Sequence, residues 1–243
     1  MKYIRTNIYN PYFLGVIYAI LALNIWYLSV VAVENQSIPK SYDYIIKVII
    51  GITSAFFGAY FALKLREYEE NKKEARQRLN ILNKCLFTLY RQGNAADCFK
   101  LEINKAKGRK HLDFPAIIHA DYSALTQNMN ELNFLIEFGF SRFLMNLSLE
   151  QERFELMLHT IKLRNELYIE KVQPMMNSVI TRRAGFNAQI DEDALNAYNE
   201  MTKMVANCFD SIKNTIDELL DVHSKIYPND RPLDVGINRS NNE

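Results

Sequence analysis

Glycine and proline are scarce in this chain, eight and six of 243 residues. A turn-rich β architecture uses more of both, and no stretch sustains the every-second-residue alternation of a half-buried strand. Cysteine is scarcer still. Cys85, Cys98 and Cys208 are an odd number with no CxxC pair among them, which argues against a disulfide framework or a thiolate metal site and fits buried thiols in a reducing compartment. The usual catalytic signatures are also missing: there is no phosphate-binding glycine loop, no HExxH and no nucleophile elbow. His111, His119, His159 and His223 lie far apart, and none has metal-ligand spacing. His119 and Asp121 read as an ordinary helix start. Glu150, Glu152 and Glu155 lack the His three residues along that would complete a di-metal carboxylate motif. Expected, then, is a packing body that is not an enzyme, with no catalytic residue, no cofactor and no metal.

The net charge is only +1, but this near-neutrality hides a segregation. Apolar residues crowd the start of the chain. The run PYFLGVIYAILALNIWYLSVVAV, Pro11 to Val33, holds no charge; at ~1.5 Å per residue it reaches ~34 Å, enough to cross a ~30 Å hydrocarbon core. It is longer than a signal-peptide core, carries Asn24 in its middle and is followed by a second run, so a retained anchor is expected. That second run, YIIKVIIGITSAFFGAYFAL, spans Tyr44 to Leu63. Its one charge, Lys47, sits near the end where a long side chain can snorkel to the headgroups. The ten-residue loop between them contains Pro39 and is too short to hold a domain. Lys2 and Arg5 precede the first span, and Lys64, Arg66, Lys72, Lys73, Arg76 and Arg78 follow the second. This asymmetry predicts a multi-pass inner-membrane protein with both termini cytoplasmic and residues 34–43 periplasmic.

On the second span Ser54, Gly58 and Ala62 recur every four residues, with Gly51, Ala55 and Ala59 as a second small row. Small residues at this spacing let membrane helices approach closely. They either seat the second span against the first or join copies of the chain, and two rows leave room for both. Asn24 needs a partner in hydrocarbon: Ser54 or Thr53 across the hairpin, or Asn24 of a neighbouring chain. Two spans cannot enclose a water path alone, so any conduction requires a homo-oligomer.

The fold expected is all-α, an N-terminal transmembrane hairpin followed by a cytoplasmic helical bundle. Residues 1–10 form a tail, 11–63 the hairpin, 64–92 a stalk helix, 93–227 the bundle and 228–243 a disordered tail. The stalk REYEENKKEAR is charged all round, with Glu and Lys three or four apart. Leu79, Leu82, Leu86 and Leu89 begin an apolar face. RQGNAADCF is expected to break that helix. A third helical stretch is expected over 120–138, a long one from Ser141 to Pro174, and a last one through DEDALNAYNEM to Pro228. Between that break and the 120–138 stretch stands KAKGRKH, where Lys105, Lys107, Arg109 and Lys110 cluster with no acid among them. Such a patch suits phosphates of nucleic acid or of membrane lipid, against the plainer reading of a solvated loop. Arg182 and Arg183 form a weaker second patch.

The segment LNFLIEFGFSRFLMNLSLEQERFELMLHTIKLRNE, residues 132–166, downstream of two N-terminal spans, resembles the two-transmembrane effector of bacterial retron anti-phage systems. The resemblance covers the spans and the body to about Asn165. It implies a toxin of abortive infection, held inactive by a reverse transcriptase and its RNA–DNA product, and it implies no catalytic residue. A non-toxic membrane adaptor, whose bundle recruits a cytoplasmic partner, is the rival reading of the same residues.

Overall fold

The computed structural model describes residues 11–35, 39, 42–105, 111–117, 120–122, 124–180 and 187–232. Among these the regular structure is entirely helical. α1 spans Pro11–Glu34, α2 Asp43–Lys105, α3 Phe134–Glu137, α4 Ser141–Leu167, α5 Gln173–Ile180 and α6 Ala188–Ile226. The chain divides into two compact units, one reaching to Gln77 and the other from Arg78 onward, and α2 runs through both.

In the first unit, α1 and the start of α2 are long and apolar enough to cross a membrane, and neither apolar window is buried. Val16, Leu23, Trp26, Ile52, Phe56 and Leu63 are all exposed. The two helices meet through aromatic rings. Tyr18 stacks on Phe57 with centroids 6.0 Å apart and lies 5.1 Å from the Phe61 ring. Such pairs contribute ~0.5–1.5 kcal/mol each beyond the area they cover.

The second unit has its own apolar core. α2 contributes Leu82, Leu86 and Leu89, α4 contributes Leu147, Phe154 and Ile161, and α6 contributes Val205, Ile212 and Leu219. Each set recurs at three, four or seven residues, so each helix presents one apolar stripe inward. The core continues along α2 through Ala95, Ala96 and Phe99, and here the structure departs from expectation. RQGNAADCF does not break the helix, because Gly93 is buried against Ile212 of α6 and its neighbours carry the stripe onward.

The stretch 120–138 departs as well. Only Phe134–Glu137 is α-helical, and the described residues before it form turns and irregular chain. Leu125 and Leu132 are buried as their spacing suggests, but isolated turn bonds, such as Leu125 N–H to Tyr122 O and Leu132 N–H to Met129 O, and side chains hold the stretch instead of a continuous helical ladder. The Gln92 amide donates to Leu125 O at 2.7 Å, and Gln127 donates to Cys85 O at 3.1 Å. After α3 the chain turns at Gly139, whose φ of 83° suits glycine. Its N–H reaches Ile136 O, and the next N–H reaches Leu135 O, the paired bonds of a Schellman end.

The long helix also runs past Pro174. Tyr168–Val172 widens into a π-turn, and Gln173–Ile180 continues as α5. A wide turn is a recognised way to insert a residue that has no N–H and crowds the carbonyl four back. α6 begins at Ala188, slightly before the expected start, because the Asn187 side chain accepts from Gln189 N and Ile190 N.

Candidate functional site

The small residues of α2 are the first sequence-derived candidates, and apart from Ser54 they lie to the side of the seam with α1. Phe57 and Phe61 occupy that seam. At about 100° per residue, Gly51, Ala55, Gly58 and Ala62 sit roughly a quarter turn or more away, with Ser54 nearest the seam. All five are exposed, and a Cβ added at Gly51 or Gly58 meets nothing within 4 Å. Gly51 and Gly58 thus make no close contact with the first span in the single chain. Asn24 is not joined to Ser54 or Thr53 either. Its amide donates to Ile20 O of its own helix at 2.8 Å, and Thr53 donates to Ile49 O at 2.7 Å. Local bonds of this kind satisfy a polar group in an apolar helix without a second helix.

Of the basic cluster, Lys105 ends α2 and is paired with Glu102 at 2.7 Å. Lys107, Arg109 and Lys110 lie outside the described residues, as do Arg182, Arg183 and His119. The loop is followed by a strap, residues 111–117, that is fastened at several points. His111 Nε2 lies 2.7 Å from Asp191 Oδ1. Ile117 exchanges two 2.9 Å bonds with the Asn165 side chain, its N–H donating and its carbonyl accepting. Arg164 donates to Pro115 O at 2.6 Å and to Phe114 O, and its guanidinium lies over the Phe114 and Tyr168 rings. Burial pulls its pKa down to about 10, which still leaves it charged at neutral pH. The cation is held by carbonyl dipoles and ring faces.

A second buried polar group ties α4 to α6. Glu150 is 0% exposed, and its Oε2 accepts from Ser211, from Thr215 at 3.4 Å and from Arg153 at 3.1 Å. A shallow hollow beside it is lined by Asn146, Arg153, Ser211, Asn214, Thr215 and Glu218. Glu152 is exposed, and Glu155 is exposed and bonded to Gln151. The three glutamates of the sequence thus do not converge. Among the described residues no group of His, Cys, Asp and Glu is arranged to hold a metal.

Sequence reasoning missed Gln92 and Arg164, and it weighed Glu150 and His223 only as metal ligands. A signal was present: Glu150 falls in the inward row Phe143, Leu147, Glu150, Phe154, and Arg164 continues the row Met157, Ile161. A charge on an apolar stripe marks a buried polar contact. Compared with known protein families, curated proteins and solved structures, the chain matches none.

Proposed function

We propose that this chain is the membrane effector of a bacterial anti-phage abortive-infection system of the retron type. An inhibitory complex of a reverse transcriptase and its RNA–DNA product binds the cytoplasmic helical body and holds it inactive. Release lets several copies assemble in the inner membrane and permeabilise it. Control of this sort requires an inhibitor that binds the unassembled arrangement better than the assembled one.

The supporting observation is the open small-residue face of α2, turned away from the aromatic seam that joins the hairpin. Hydrocarbon is the environment such helices suit. Exposing one Leu or Phe to water costs roughly 1.5–3 kcal/mol, and the many exposed here would exceed the ~5–15 kcal/mol that stabilises a domain. Within hydrocarbon, close backbone approach is what draws helices together, and the open row offers it to a second copy.

The test is expression of this gene alone and then with its genomic neighbours, following growth and membrane potential. Alone, the protein is expected to depolarise the membrane and stop growth; with its neighbours it is harmless. A protein that never disturbs the membrane alone, and still works after both spans are exchanged for unrelated ones, is the adaptor instead.

A further inference from the structure

Just beyond the second span, α2 carries six basic residues within fifteen positions, and they are not equivalent. Lys64 pairs with Glu67 at 2.7 Å and Arg66 with Glu70 at 2.8 Å. Lys72, Lys73 and Arg76 are exposed and have no ion-pair partner among the described residues. With Tyr68 and Glu69 they line one groove on the helix. Glu69 is the one carboxylate there and is itself engaged, so the groove keeps an excess of two positive charges.

We propose that this face, Tyr68, Lys72, Lys73 and Arg76, binds the anionic headgroups of the leaflet from which α2 emerges. The proposal rests on the reading of Tyr44–Leu63 as a membrane span. Lys72 and Lys73 lie nine and ten residues past Leu63, ~14–15 Å along the axis. The headgroup layer takes up ~5–8 Å of that on each side of the bilayer. The remaining distance is about one extended Lys side chain, and it lies within the ~8–10 Å over which a charged surface is felt at physiological salt. Arg76, ~20 Å along, comes within reach when the helix leans toward this face, and spans tilt by ~20° on average. Tyr68, half-buried on the same face, is a residue type suited to the interface. This placement beside the membrane favours lipid over nucleic acid as the source of phosphate.

The groove also bears on assembly. Arg76 lies eighteen residues beyond Gly58, five turns at ~3.6 residues per turn, so it sits directly above the open small-residue face. Lys72 and Lys73 flank the same line. Copies that approach through Gly58 bring these cations toward each other. Anionic headgroups between them would screen that repulsion, so the lipid charge of the leaflet sets how readily the spans associate.

The test uses the full-length protein reconstituted into vesicles of phosphatidylcholine alone or mixed with phosphatidylglycerol. Co-flotation with vesicles checks the span itself. Amine-reactive labelling, read residue by residue by mass spectrometry, then reports on the groove. Labelling of Lys72 and Lys73 is expected to slow about fivefold in the phosphatidylglycerol vesicles, the size of effect of one basic residue at an anionic surface, and to recover in high salt. Equal labelling in both vesicle types would overturn the proposal. So would protection that appears only when duplex RNA is added, which would make the face a nucleic-acid surface. Failure to float with either vesicle would overturn the membrane reading, and the proposal with it.

Discussion

His223 is 2% exposed, and neither ring nitrogen has a hydrogen-bond partner among the described residues. Burial lowers its pKa from the ordinary 6.5, opposed in part by the charge of Asp230. The unfolded chain therefore binds this proton more tightly than the folded one. The neutral ring's contribution to stability is complete above the ordinary value and declines as pH falls below it, levelling off once pH passes the folded value. The melting temperature of the helical body should fall as pH drops below about 6.5, and His223→Phe should flatten that fall. Parallel curves for the two proteins would place the titrating group elsewhere. The thiols provide a second check. Burial pushes Cys85 and Cys208 up to about 12, whereas Cys98 is exposed. A native-state thiol titration near neutral pH should find one fast-reacting cysteine, Cys98, with the other two reacting only on unfolding.

At the scale of the element, α2 raises the question of why one helix runs through a glycine and a polar stretch that by propensity should end it. Gly93 has no conformational role there, and its use is steric. A Cβ at this position would meet Ile212 Cγ2 at 3.4 Å, an ordinary contact. Gly93→Ala should thus keep the packing and gain up to ~1 kcal/mol of helix propensity. Gly93→Leu should force α2 and α6 apart and cost ~1–3 kcal/mol. Denaturant unfolding of the three proteins reads both signs, and a destabilising alanine would mean the two helices pack more tightly than the structure has them. The stretch 120–133 poses the opposite case. Its apolar spacing is helical, but Gln92 donates to Leu125 O, Gln151 accepts from the Gln127 N–H, and isolated turn bonds such as Leu132 N–H to Met129 O satisfy further groups, so the stretch has its backbone partners without a continuous helix.

At the scale of the whole molecule, the proposed function turns on one face of α2. Because nothing among the described residues beyond its own helix backbone lies within 4 Å of a Cβ at Gly58, Gly58→Leu should leave the single chain undisturbed and raise its affinity for hydrocarbon. Only contacts between copies would suffer, since a leucine holds backbones apart by a side-chain width. The variant should reach the membrane at normal levels yet fail to depolarise it or arrest growth. Asn24→Leu should give a milder loss, on the scale of the ~1 kcal/mol of an interhelical hydrogen bond, because Asn24 already bonds Ile20 O within its own helix. Full toxicity of Gly58→Leu, at normal membrane levels, would mean that the small row is not the working surface.

Helical character, the two apolar runs and the inward stripes of α4 and α6 were legible from the sequence, because each follows from local periodicity in side-chain polarity and from the near absence of Pro and Gly. The small-residue rows were legible as a pattern, but their direction was not. Only the packing of Tyr18 on Phe57 and Phe61 left Gly51 and Gly58 open to the side of the seam, and a ring–ring contact between two helices leaves no trace in the spacing of either one. The passage of α2 through Gly93, the unwinding of 120–133 and the burial of Glu150, Arg164 and Gln92 were likewise decided by tertiary structure. In each case a group distant in sequence supplies the missing partner: Ile212 for the glycine, Gln92 for the backbone at Leu125, Ser211 and Thr215 for the carboxylate, and the Phe114 and Pro115 carbonyls for the guanidinium. Propensity counts only neighbours along the chain, and these interactions connect residues between about thirty and a hundred and twenty positions apart.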